Sequence, residues 1–316
     1  MRSRQVVLAA ILASAVLAGF VPPSTAQAAK RWAVVRQNGT LVRGRDVATS
    51  TRTGPGSFVV TFDHSVAGCA DVANPGDPAT GTVADPVVAA VAPRANPRAV
   101  SVQTYHEGGE FDIDEPFHVA VYCGATSTYA VVRRGGALVR GAHALSARRI
   151  RLGEYGVHFD RDVSNCVLTA SIGSTTTAPV VAPGMISVSP GRKPRNAFVT
   201  TIGGGGLPGD FPFHLAAACA TVPLRAVVKA DGTSVRGRDV VSTTRLSAGS
   251  YEVIFDRDVS GCAYTATVGR PSPGFTRRPL TITTAARGGN PDGAFVFIHH
   301  MSGAVADHAF HIVARC

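Results

Sequence analysis

Tyr251-Glu252-Val253-Ile254-Phe255-Asp256-Arg257-Asp258-Val259-Ser260-Gly261-Cys262 is the stretch that decides the fold. Tyr251, Val253 and Phe255 alternate with Glu252 and Ile254, the period-2 pattern of a half-buried strand. A polar turn follows, and a cysteine falls seven residues after the phenylalanine. The same arrangement occurs twice earlier. Tyr155, Val157 and Phe159 lead to Cys166, and Phe58, Val60 and Phe62 lead to Cys69.

Outward from this centre the whole chain repeats. Each copy opens on Ala-Val-Val, at Ala33-Val34-Val35, Ala130-Val131-Val132 and Ala226-Val227-Val228. A glycine turn comes next, at Asn38-Gly39, Gly135-Gly136 and Asp231-Gly232, where the glycine tolerates the positive φ of a tight hairpin. Then come Val42-Arg43-Gly44, Val139-Arg140-Gly141 and Val235-Arg236-Gly237, and a second arginine nine residues on, Arg52, Arg149 or Arg245. Each copy closes with an aspartate (Asp114, Asp210, Asp307), a Phe-His pair (Phe117-His118, Phe213-His214, Phe310-His311) and a strand ending in cysteine (Cys123, Cys219, Cys316). The expected divisions are a signal peptide over 1–28 and β-sandwich repeats over 29–123, 129–219 and 225–316.

Composition agrees with an all-β chain. Valine, threonine, glycine and proline are abundant, and no sustained 3.6-residue apolar period appears after the N-terminus. The N-terminus itself reads as a secretory signal. Arg2 and Arg4 precede an apolar run, Val6 to Phe20, that is short for a membrane span, and Ala26-Gln27-Ala28 fits a cleavage site. An uncleaved anchor is the less favoured alternative, and no later stretch is apolar enough to cross a bilayer. The expected product is secreted and extracellular.

Six cysteines, two per repeat, point to one disulfide in each copy. Fifteen pairings are possible, and only Cys69–Cys123, Cys166–Cys219 and Cys262–Cys316 give every copy the same chemistry. Zinc thiolate sites are disfavoured by the absence of close C-x-x-C spacing.

The last strand of each copy is apolar on both faces. Phe117, Val119 and Val121 share one face, while His118, Ala120 and Tyr122 share the other, as do His214, Ala216 and Ala218, and His311, Val313 and Arg315. An open sheet face would be more polar, so a neighbouring repeat is expected to cover the second one. Linkers of five residues, 124–128 and 220–224, span at most ~17 Å. A linear row and a closed pseudo-threefold cluster both satisfy this, and the apolar second face favours the cluster.

The run Gly249 to Gly269, G-x-Y-x-V-x-F-x-x-x-V-x-x-C-A-Y-x-A-x-x-G, resembles a repeat of secreted actinobacterial proteins. Arg245 to Phe255 with the closing Asp307 to Phe310 is more distantly similar to the trimeric C-terminal modules of phage tail fibres. The resemblance implies jelly-roll-like β-sandwiches with binding or assembly roles and no catalytic residue. It also implies that three joined repeats imitate a homotrimer within one chain, which leaves a monomer as one expected state.

Candidate chemistry is sparse. Asp256-Arg257-Asp258 and Asp160-Arg161-Asp162 could hold calcium, but the first copy has Asp63-His64-Ser65, and a capped polar turn is favoured. His118, His214 and His311 could meet on a threefold axis and bind zinc, or pack as strand residues bonded to backbone, which is favoured. Arg43, Arg140 and Arg236 with Arg52, Arg149 and Arg245 are the candidate contacts for an anion or glycan, since a guanidinium forks onto a carboxylate. Pairing with the recurring aspartates is the alternative. Gly203 to Gly206 lacks the Gly-Lys-Ser/Thr of a P-loop and reads as a hairpin tip. No G-x-S-x-G elbow is present. The net charge of +10 predicts attraction to acidic polymers, not specific recognition of nucleic acid. The leading expectation is a non-catalytic binding module for cell-envelope or acidic glycan surfaces, without cofactor or metal. An envelope or extracellular assembly protein without a small ligand is the alternative.

Overall fold

The computed structural model describes residues 31–81, 87–106, 113–179 and 184–316. The expected signal segment lies outside them. The described chain is all-β. The first unit holds β1 (Arg31–Val35), β2 (Leu41–Arg45), β3 (Val47–Gly54), β4 (Ser57–Phe62), β5 (Ala70–Pro75), β6 (Val87–Pro93), β7 (Ala99–His106) and β8 (Phe117–Tyr122). The second holds β9 (Thr128–Val132), β10 (Leu138–Ala142), β11 (Ala144–Arg151), β12 (Glu154–Phe159), β13 (Val167–Gly173), β14 (Gly184–Pro190), β15 (Asn196–Gly203) and β16 (Phe213–Ala218). The third holds β17 (Arg225–Val228), β18 (Ser234–Arg238), β19 (Val240–Ser247), β20 (Ser250–Phe255), β21 (Ala263–Val268), β22 (Leu280–Ala286), β23 (Gly293–His300) and β24 (Phe310–Arg315).

Each unit forms two four-stranded arrays. In the first, the inner order is β2-β1-β8-β5 and the outer order is β3-β4-β7-β6, and the other units follow suit. The alternating residues of the central strand explain the packing. Phe58, Val60 and Phe62 from the outer array meet Ala33, Val35, Phe117 and Val119 from the inner one in a single core. Tyr155 and Tyr251 take the place of Phe58 in the other two cores. The chain passes from inner to outer array at one corner residue with left-handed backbone, Asp46 (φ 55°), His143 (φ 62°) or Asp239 (φ 56°). Polar residues accept that region most readily. A disulfide joins Cys69 to Cys123, Cys166 to Cys219 and Cys262 to Cys316.

The second faces of the inner arrays pack on one another. Trp32, Val34, Ala120 and Tyr122 of unit 1 share a cluster with Tyr129, Val131 and Ala216 of unit 2 and Ala263 of unit 3. Val167 and Ala218 of unit 2 pack on Val227 and Val313 of unit 3. Backbone pairing closes the set in one rotational sense. β13 of unit 2 runs parallel to β6 of unit 1 through Ile172–Ala90 and Gly173–Val91. Gly76 of unit 1 bridges Thr284 of unit 3, and Gly269 of unit 3 bridges Val188 of unit 2.

Past each of these glycines the chain becomes an arm that crosses the outer array of the next unit. The Ala286 amide donates to Ala79 O (2.9 Å), the Ser174 amide to Val91 O (2.8 Å), and the Ser189 hydroxyl to Gly274 O (2.6 Å). The units therefore sit in a ring, each holding the next by an arm.

Candidate functional site

The recurring histidines lie at the seams of this ring, each fully buried. Nδ1 of His118 accepts the Tyr264 amide (2.8 Å), that of His214 the Asp71 amide (2.9 Å), and that of His311 the Leu168 amide (2.9 Å). Each bond crosses to a different unit. An accepting Nδ1 places the proton on Nε2, which donates to Asp77 O (3.2 Å), Ser174 O (3.0 Å) or Arg270 O (3.1 Å) within its own unit. Burial, the largest cause, and a nearby arginine hold all three imidazoles neutral, with pKa lowered to about 3. Both nitrogens of each ring are engaged with backbone, so this arrangement offers no lone pair to zinc.

The first set of recurring arginines serves the same seams. Arg43 donates through Nε (3.2 Å) and Nη2 (3.1 Å) to Cys262 O, Arg140 through Nε to Cys69 O (2.9 Å), and Arg236 through Nε to Cys166 O (3.4 Å). Each acceptor is the carbonyl of a disulfide cysteine in the neighbouring unit. One position further in the seam, Asn74, Ser171 and Thr267 accept the amides of Ala266 (3.3 Å), Ala73 (2.9 Å) and Ala170 (2.9 Å). These residues line a small axial cavity of about 40 Å³ together with Ile186 and Ile282. That volume suits a few waters.

The second set is paired inside each unit. Arg52 meets Asp114 (2.7 Å), Arg149 meets Asp210 (2.7 Å) and Arg245 meets Asp307 (2.8 Å). The same carboxylates accept the turn amides of Gly56 (2.9 Å), Gly153 (2.8 Å) and Gly249 (2.9 Å). The arginine hydrogen bond is the main reason Asp307 is held down at about 2. The acidic clusters are local turns. Asp162 accepts the Ser164 amide (2.8 Å) and Asp258 the Ser260 amide (2.8 Å), while Asp256 pairs with Arg257 (2.8 Å). Among the described residues no three His, Cys, Asp or Glu side chains are grouped to hold a metal. Gly203 to Gly206 forms a turn closed by the Gly203 amide on Leu207 O (2.9 Å).

Charge is where the units differ. Residues 129–219 carry ten Lys and Arg against four Asp and Glu, and 225–316 carry eleven against seven, whereas 31–123 carry seven against ten. Read along the whole chain the basic residues look evenly spread and not gathered in a stripe, which misses this segregation. Comparing each copy's charge would have found it. In unit 2 the exposed Arg133, Arg134 and Arg148 have no side-chain hydrogen bond or ion pair with any described residue. Their counterparts in unit 1 are Arg36, Gln37 and Thr51, and in unit 3 Lys229, Ala230 and Thr244. Nearby, Glu154, only 2% exposed, anchors two exposed guanidinium groups at once, Arg151 (3.0 Å) from its own unit and Arg277 (2.6 Å) from the arm of unit 3. Asp71 also breaks the symmetry, standing buried at a seam where the other copies have Leu168 and Tyr264. Burial pushes its carboxyl up to about 7 against the pull of Arg140.

Comparison with known proteins finds no matching family model, no similar curated protein and no similar solved structure.

Proposed function

We propose that the chain is a secreted, non-catalytic binding protein for acidic polysaccharide of a cell envelope or extracellular matrix. The observation that carries this reading is the segregation of charge onto units 2 and 3, with Arg133, Arg134 and Arg148 of unit 2 exposed and unpaired among the described residues. A basic surface attracts a polyanion by charge, and free guanidinium groups fork onto carboxylates. The recurring arginines named from the sequence are engaged in seams and intraunit pairs, so the binding role passes to the non-recurring ones.

Three disulfides and the N-terminal signal pattern support export to an oxidising compartment. No helix among the described residues is long and apolar enough to cross a membrane. The likeness to trimeric tail-fibre modules fits a ring of three units that rigidly presents a surface. One observation favours an envelope or extracellular assembly protein without a small ligand. Every polar residue that recurs through the three seams, histidine, arginine and Asn/Ser/Thr, serves to hold the units together.

Cosedimentation of the oxidised protein with acidic cell-envelope polysaccharide across a salt series separates the two. Saturable binding that persists near physiological salt supports the binding reading. Absence of binding at low salt transfers the function to assembly.

A further inference from the structure

The outer face of unit 2 carries a surface that units 1 and 3 lack. Its floor is Gly156 on β12, opposite Arg148 on the edge strand β11. A Cβ on Gly156 would make ordinary contacts with Ile150 Cδ1 (3.4 Å) and Phe198 Cδ1 (4.0 Å), so these two side chains flank the floor. The corresponding residues are Val59 in unit 1 and Glu252 in unit 3, so only unit 2 lacks a side chain at this place.

One wall is aromatic. Phe198 of β15 packs on Phe275 of the unit 3 arm with ring centroids 4.6 Å apart, and both rings are half-buried. The rest is guanidinium. Arg151 and Arg277, 65% and 54% exposed, are oriented by the buried Glu154 and keep N–H groups facing solvent. Arg148 stands beside the floor. The site is assembled from two units, since the arm supplies both Phe275 and Arg277.

From this geometry we infer that the outer face of unit 2 binds the uronate residues of an acidic polysaccharide. The pyranose ring lies over Gly156 against the phenylalanine pair, and Arg148, Arg151 and Arg277 take the carboxylate. A glycan is favoured over single-stranded nucleic acid because the face offers one aromatic platform, whereas such binders stack successive bases on several. The inference rests on the acidic-polysaccharide reading and gives it a place and a sugar class.

The test uses the oxidised full chain and a galacturonic acid oligosaccharide, with a neutral glucose oligosaccharide, inorganic polyphosphate and single-stranded DNA as comparison probes, all by calorimetry. Gly156→Val fills the floor with the side chain that unit 1 tolerates at this place. It is expected to weaken uronate binding about tenfold or more while leaving the thermal midpoint in place. Arg148→Gln with Arg151→Gln, which leaves Arg277 on Glu154, is expected to weaken it by a similar factor. Arg36→Gln with Lys229→Gln on the other units is expected to change it less than twofold. Unchanged binding in Gly156→Val, with wild-type binding intact, overturns the site and leaves the polysaccharide reading standing. Wild-type protein that binds polyphosphate or DNA in preference to uronate overturns the sugar assignment. Wild-type protein that binds no polyanion overturns both readings.

Discussion

A buried imidazole that accepts at Nδ1 and donates at Nε2 is a neutral connector, and three of them hold this ring. Their pKa of about 3 lies below the ordinary histidine value of 6.5. Between those two pH values the unfolded chain binds protons that the folded one refuses, so this contribution is complete above pH 6.5 and is lost as pH falls toward 3. Asp71 acts in the opposite direction. Its carboxyl is raised to about 7 when folded, so the unfolded chain releases that proton first and stability is lost as pH rises from 3.8 to 7. Arg140, His214 and Tyr129 are the titratable or charged groups around it. Urea melts across pH should therefore show a steep loss below pH 6. Asp71→Asn should be more stable than the parent at pH 8, the gain shrinking steadily below pH 7 and vanishing near pH 3. A gain that does not depend on pH would rule out a titrating Asp71. The sequence made the histidines visible, since they recur in register on an apolar strand. Their partners are backbone amides more than 140 positions away, and an amide carries no residue identity, so the pairing itself could not be read.

At the scale of elements, the seam glycines do the least visible work. Gly76, Gly173 and Gly269 have no need of unusual φ. They recur because the neighbouring unit passes where a side chain would be. A Cβ on Gly173 would lie 2.6 Å from Val91 Cγ2 and 2.8 Å from the His214 ring, and one on Gly269 would lie 2.4 Å from Val188 O. Gly173→Val should therefore separate β13 from β6 and cost about 3 kcal/mol or more, the range for overpacking and lost buried pairing. A change in unfolding free energy from urea melts below a quarter of that would show that the seam yields freely. The strand pattern around Phe62, Phe159 and Phe255, the cysteine pairing and the covered second face were all legible as alternation and register. The arms were not. They follow the seam glycines as Pro-rich, patternless stretches, and their contacts lie on the next unit, which local periodicity cannot report.

For the whole molecule, repetition and departure from repetition divide the functions. Residues that obey the repeat, among them His118, Arg43, Arg52 and their counterparts, are engaged in joining units or bracing turns. Residues that break it, Gly156, Arg148 and Arg151, gather on one outer face with the arm-borne Phe275 and Arg277. The recurring arginines drew attention in the sequence because they recur, and recurrence marked structural roles. The charge difference between copies was the clearer signal of a surface, since each unit keeps the same scaffold while its exposed charge is free to vary. The histidine seams and the two-unit outer face both require the ring. In a linear row the closing seam would be lost, its histidine would have no amide donating to Nδ1, and not every arm would reach the next unit.

Small-angle X-ray scattering of the oxidised protein tests that ring most directly. A compact chain of this length has a radius of gyration of about 19 Å, whereas three such units in a row give about 27 Å. The ring should give a value near the first, unchanged on moderate dilution. A value near the second, for a monodisperse monomer, would contradict it.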